Sequence, residues 1–146
     1  MAEPRRSAVG TVRDWMTRNP VSVSPHTPIA QVAGLMRANR IRHVLVVEGE
    51  RLVGIVSERD VRGLLVEGQP TVSPTSPVRQ VMSEPPVTVT PEMLLTDASR
   101  EMLDRKLGAL PVMEGDRLVG ILSSADALEA LLRWVDYGSP EPRPER

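Results

Sequence analysis

The stretch Leu52-Val53-Gly54-Ile55-Val56-Ser57-Glu58-Arg59-Asp60 returns as Leu118-Val119-Gly120-Ile121-Leu122-Ser123-Ser124-Ala125-Asp126, a constant offset of 66 residues. The offset holds without a gap over most of the chain. Val78-Arg79 and Met82 match Val12-Arg13 and Met16; Pro86-Val87, Val89 and Pro91 match Pro20-Val21, Val23 and Pro25. Met102 matches Met36, and Glu114-Gly115 with Arg117 match Glu48-Gly49 with Arg51. An internal repeat dictates the architecture before any single motif does. Each half is too short to bury both faces of a sheet alone, so the halves are expected to pack face to face with pseudo-two-fold symmetry.

Within a half the patterning alternates between strand and helix. Val21 to Ser24 alternates with period two and reads as a short strand. Thr27-Pro28 reads as a helix cap with proline at the first helical position, followed by Ile29, Val32, Ala33, Leu35 and Met36 on one face. Val44 to Val47 is apolar on both sides, Glu48-Gly49-Glu50 is a tight turn, and Arg51 to Val56 returns as the partner strand. Ser57 then opens a helix. The class expected is α+β, two tandem β-α-β-β-α repeats, each preceded by a short helix. The boundaries are a flexible arm over 1–10, repeat 1 over 11–67, a Pro/Ser/Thr-rich linker over 68–76, repeat 2 over 77–133 and a tail over 134–146.

Composition removes several functions. The net charge is −1, which gives no global field for nucleic acid or an anionic membrane. Aromatic residues are 2% of the chain, too few for a base-stacking platform. The absence of cysteine excludes disulfides, thiolate catalysis and Cys-ligated zinc, and His26 and His43 share no metal-ligand spacing. No apolar run reaches transmembrane length and the first ten residues have no signal-peptide core, so a cytoplasmic protein is expected. No phosphate-binding Gly-rich Lys-Ser/Thr stretch and no paired nucleophile and base is present, which argues against an enzyme.

The Ser-x-x-Asp that opens each second helix has two readings. It is a variant of the capping box, with Asp in place of Glu or Gln. The same carboxylate, beside unpaired helix N–H groups, suits a hydroxyl-rich or anionic ligand. His43 likewise reads as a packed strand-start histidine or a ligand contact. Arg59 and Arg62 read as a solvated helix face or a phosphate-facing one.

The ordered set of a methionine, Pro-Val-x-Val-x-Pro, the strand Leu110-Pro111-Val112, the Gly turn and Leu-Val-Gly-Ile-x-Ser-x-x-Asp, found twice in register, resembles the cystathionine-β-synthase (CBS) domain family. The resemblance covers residues 11–133 and takes the tandem form known as a Bateman module, here standing alone. It implies a regulatory module that binds an adenosyl ligand between the repeats: AMP, ADP or ATP, with S-adenosylmethionine, NAD and cyclic di-AMP as further candidates. It implies one site joining Ser57 and Asp60 with Pro86, Val87, Leu107, Gly108 and Ala109. A second would join Ser123 and Asp126 with Pro20, Val21, Ile41, Arg42 and His43. The Asp carboxylates would take ribose hydroxyls, and Arg42 and Arg59 would favour phosphate. Because Gly108, Ala109, Ala125 and Leu128 stand where repeat 1 has Arg42, His43, Arg59 and Arg62, the sites are expected to differ. The expected phosphate-tolerant site uses Ser123, Asp126, Arg42 and His43. The resemblance also implies a homodimer that regulates a protein partner. The alternative reading is a constitutive dimerisation module with vestigial sites.

Overall fold

In the computed structural model, residues 8–67 and 72–138 are described; the expected arm through residue 7, linker residues 68–71 and the tail from residue 139 lie outside them. In chain order the elements are α1 (Val12–Trp15), β1 (Thr17–Arg18), β2 (Ser22–Val23), α2 (Ile29–Asn39), β3 (His43–Glu48), β4 (Arg51–Ser57), α3 (Glu58–Glu67), a 3-10 turn (Val78–Gln80), α4 (Leu95–Arg105), β5 (Ala109–Glu114), β6 (Arg117–Ser123) and α5 (Ser124–Tyr137). The fold is therefore mixed helix and sheet, with both repeats present. The helix α5 runs four residues past the expected repeat boundary and stops at Gly138, whose φ of 73° closes its C-terminus.

The chain forms two compact units that are cut differently from the sequence repeats. A continuous unit spans Pro20–Pro86; a split unit combines the residues through Asn19 with those from Val87 onward. The continuous unit carries the sheet β2-β3-β4, with β2 parallel to β3 and β3 antiparallel to β4. A further antiparallel bridge, Ile55 to Ser83, lies on the far side of β4. The split unit carries β1-β6-β5, all antiparallel, and a parallel bridge from Val89 to Val112. The two plans are the same at the 66-residue offset, even to the register irregularities between Val46 and Val47 and between Val112 and Met113.

Each sheet buries one face beneath its helices. In the continuous unit Val44, Val46 and Val56 pack with Ile29, Val32 and Met36. In the split unit Leu110, Val112 and Leu122 pack with Leu95, Ala98, Met102 and the fully buried Trp15. The hairpin turns open on Gly49 and Gly115, whose φ values of 64° and 61° suit the two-residue turns between these strands. The helices α2 and α4 end on Arg40 and Lys106, both left-handed at φ 54° and 56°. The helix α2 begins at Ile29 rather than at Pro28, because Pro28 is extended and the Thr27 carbonyl accepts Val78 N–H at 2.8 Å.

The division of units reflects an exchange of segments. The segment Gly10–Thr17 packs on repeat 2, and Ser76–Ser83 packs on repeat 1. Val12 and Arg13 donate to the Met93 and Pro91 carbonyls, while Leu95 donates to that of Gly10. At the matched positions Val78 and Arg79 donate to Thr27 and Pro25, and Ile29 donates to Ser76. The last residues of the expected linker are thus bound along the start of α2, where Ile29 and Ala30 donate to the Ser76 and Pro74 carbonyls. The exchange also gives Gly54 and Gly120 their role. A Cβ at Gly54 would stand 2.6 Å from Met82 Sδ, and one at Gly120 would stand 2.8 Å from the Thr17 carbonyl oxygen and 2.9 Å from Met16 Sδ. Each glycine admits an exchanged methionine and the short extended segment after it.

Candidate functional site

In the continuous unit the chain reverses twice at one end of the sheet. Ile41 and Arg42 lead from the end of α2 into β3, and Ser57 leads from β4 into α3. His43 and Ser57 are register partners, and Glu58 N–H donates to the Arg42 carbonyl at 2.7 Å. Val21, just before β2, accepts from Leu45 N–H at 3.1 Å. This end of the unit therefore gathers Val21, Ile41, Arg42, His43, Ser57 and Asp60.

Asp60 is held by reciprocal capping. Its Oδ2 accepts Ser57 N–H at 2.9 Å, and Ser57 Oγ accepts Asp60 N–H at 3.1 Å. Its other carboxylate oxygen accepts no hydrogen bond among the described residues, and the side chain is half-buried. Burial pushes the His43 imidazole below its ordinary pKa; the Asp60 carboxylate opposes that shift and the Arg42 guanidinium adds to it. Arg59 projects into solvent from the first turn of α3.

The split unit repeats the arrangement with different chemistry. Ala109 and Ser123 are register partners, Ser124 N–H donates to the Gly108 carbonyl at 2.9 Å, and Asp126 Oδ2 accepts Ser123 N–H at 2.8 Å. Asp126 is buried, Leu107 and Val87 pack against the core, and no arginine or histidine stands at the strand start. Within a unit each Ser-x-x-Asp thus sits beside the strand start of its own repeat. Of the predicted site residues, Ser57, Asp60, Arg59, Pro20, Val21, Ile41, Arg42, His43 and Pro86 fall in the continuous unit. The set Val87, Leu107, Gly108, Ala109, Ser123 and Asp126 falls in the split unit.

Beside the first set, on the helical side, α2 and α3 enclose a groove of about 620 Å³ lined by Ala33, Met36, Arg37, Arg40, Ile41, Arg42, Glu58, Val61 and Arg62. Arg37 and Arg40 were not singled out from the sequence. Comparison with Leu103 and Lys106 at the 66-residue offset carried the signal at Arg37, since one face replaces charge by leucine.

Two matched carboxylate-bearing helix starts on tandem α+β repeats define a duplicated module. The CBS domain profile matches residues 12–67 and 78–133, and the chain belongs to the CBS domain family. The CBS domain-containing protein YhcV of Bacillus subtilis is 35% identical over 118 residues, which cover 81% of this chain and 83% of that protein. The structure of CBSX2 in complex with AMP matches with a TM-score of 0.70 and 28% identity, covering 84% of this chain and 96% of that one. The CBS domain pair of protein MJ0100 matches at a TM-score of 0.75 and 20% identity over 83% of this chain and 94% of that one, which shows the shared fold. The inosine-5'-monophosphate dehydrogenase of Korarchaeum cryptofilum is 32% identical over 124 residues, but those cover only 24% of that enzyme. Among the described residues no helix is long and apolar enough to cross a membrane.

Proposed function

We propose that this chain is a cytoplasmic, non-enzymatic sensor of an adenosyl ligand, with AMP, ADP or ATP as the preferred class. The observation that carries the reading is Asp60: a half-buried carboxylate with one oxygen tied to its helix cap and the other accepting no hydrogen bond among the described residues, next to a strand start bearing Arg42 and His43. A carboxylate oxygen in that state accepts from the adjacent hydroxyls of a ribose, while backbone at the strand start can meet the adenine edge. Arg42 and Arg59 supply charge for phosphate. The complex of the relative CBSX2 with AMP supports the same ligand class. S-adenosylmethionine, NAD and cyclic di-AMP share the adenosyl group and stay within the class. The Asp126 site, beside Gly108 and Ala109, suits a less charged adenosyl compound.

Ligand binding regulates through its differential affinity for two conformations of the module, and a protein partner reads the change. Self-association belongs to the same reading: α5 exposes Leu128, Leu131, Leu132 and Val135, an apolar face suited to a second copy of the chain. Titration calorimetry with AMP and ATP on the wild type, Asp60→Asn and Asp126→Asn tests the proposal. Asparagine keeps a cap acceptor but loses the charge. The expected result is saturable binding of both nucleotides that Asp60→Asn weakens at least tenfold and Asp126→Asn leaves nearly unchanged. A folded protein that binds neither nucleotide favours the constitutive dimerisation module.

A further inference from the structure

The groove between α2 and α3 of the continuous unit brings together Arg37, Arg40, Arg42 and Arg62 against one carboxylate, Glu58. Glu58 pairs with Arg62 one turn along the helix and lies 3.8 Å from Arg42. Arg37 and Arg40 make no ion pair among the described residues. The floor is apolar, formed by Ala33, Met36, Ile41 and Val61. Arg40 sits at a left-handed helix end, the turn that directs the chain into Ile41 and Arg42. The fold thus collects on one concavity an excess of positive charge that the chain as a whole, at −1, does not have.

The second repeat supplies an internal comparison on the same backbone plan. At the 66-residue offset Arg37, Arg42 and Arg62 become Leu103, Gly108 and Leu128, Glu58 becomes Ser124, and only Arg40 keeps its charge, as Lys106. Leu103 and Leu128 are exposed. The repeat fold therefore does not require arginines at these positions.

We propose that the α2–α3 groove is a binding site for a multiply charged phosphate anion, with Arg37, Arg40 and Arg62 as its principal ligands. Planar guanidinium forks match phosphate oxygens two at a time, and several converging forks hold a multiply charged anion together. The volume fits a small anion or the phosphate tail of a nucleotide. The groove shares Ile41 and Arg42 with the proposed adenosyl site, but its principal ligands Arg37, Arg40 and Arg62 belong to none of that site's contacts; a nucleotide as the source of the phosphates rests on the adenosyl proposal.

Sodium tripolyphosphate, titrated into the full chain at constant ionic strength, is the direct probe. The wild type should bind it saturably, one to one. The double substitution Arg37→Leu with Arg62→Leu installs residues that the second repeat carries at the same fold positions, and should weaken binding at least tenfold. Arg40→Gly removes a third charge where glycine is conformationally favoured, so it folds even if the double variant does not, and should weaken binding several-fold. Glu58→Gln should tighten it, and Asp60→Asn should leave it unchanged. ATP that loses affinity in the double variant while AMP does not would identify a nucleotide as the source. A response confined to tripolyphosphate would identify free polyphosphate. Absence of saturable binding by the wild type overturns the proposal, and so does binding that survives both the double variant and Arg40→Gly.

Discussion

Replacing Gly120 with alanine should destabilise the protein through the exchanged N-terminal segment. The added methyl would stand 2.8 Å from the Thr17 carbonyl oxygen, 2.9 Å from Met16 Sδ and 3.2 Å from Met16 Cγ. Thr17 cannot retreat without cost, because it is the register partner of Ile121 in the β1–β6 pair. Overpacking of this kind costs up to about 3 kcal/mol. Alanine recovers somewhat under about 1 kcal/mol of the entropy that glycine loses on folding. The net is about 2 kcal/mol, or about 6 °C in the thermal midpoint for a chain of this size. Gly54→Ala should be milder, about 1 kcal/mol net by the same reasoning. Its nearest clash is the flexible end of Met82 at 2.6 Å, and the backbone oxygen of Ser83 lies further off at 3.0 Å. Double-mutant cycles read by thermal unfolding separate the contacts. Gly120→Ala should couple to Met16→Ala by at least about 0.5 kcal/mol and not to Met82→Ala; Gly54→Ala should show the reverse. Coupling of Gly120 to Met82, or of Gly54 to Met16, would refute the exchange of segments.

Further outcomes follow from single sites. Burial lowers the His43 pKa in the folded state, so below its unfolded value of about 6.5 the unfolded chain binds more protons. Stability should therefore be full above that pH and fall as the pH drops toward the folded pKa; His43→Gln should flatten this part of a urea-midpoint curve against pH. Trp15 is fully buried in the split unit and donates from its indole to the Val9 carbonyl at 2.8 Å. Trp15→Ala should cost about 3–5 kcal/mol in chemical denaturation. Arg40 holds φ at 54°, a conformation that costs a side-chain-bearing residue about 1 kcal/mol. Arg40→Gly should raise the thermal midpoint, and a lowered midpoint would show that Arg40 contributes more by its contacts than its backbone costs.

Much of the repeat plan is legible in the sequence because local chemistry decides it. Gly49 and Gly115 sit where the turns need positive φ, and Ser57 with Asp60 and Ser123 with Asp126 cap the helices they open. Of the matched methionines, Met16, Met36 and Met102 are buried and Met82 is half-buried against its core. The exchange of segments is not legible, and the repeat itself hides it. Met16 and Met82 each need a slot floored by glycine, and both repeats offer one, at Gly54 and Gly120. The sequence is therefore symmetric with respect to which segment packs on which sheet. Chain connectivity and the hydrogen bonds along α2 and α4 break the symmetry in space. The arginine groove was hidden for another reason. Arg37 and Arg62 stand on separate helices, and only the turn through Arg40 and Arg42 places them around one concavity.

Thermal unfolding with AMP, ADP, ATP, NAD, S-adenosylmethionine and cyclic di-AMP tests the proposed adenosyl ligand most directly. A ligand present at about one hundred times its dissociation constant adds about 2.7 kcal/mol of stability, about 8 °C here by the same conversion. The account predicts such a shift for at least one phosphate-bearing adenosyl compound in the wild type, and its loss in Asp60→Asn. No shift with any of the six in a folded protein, or a shift that Asp60→Asn leaves intact, would contradict it.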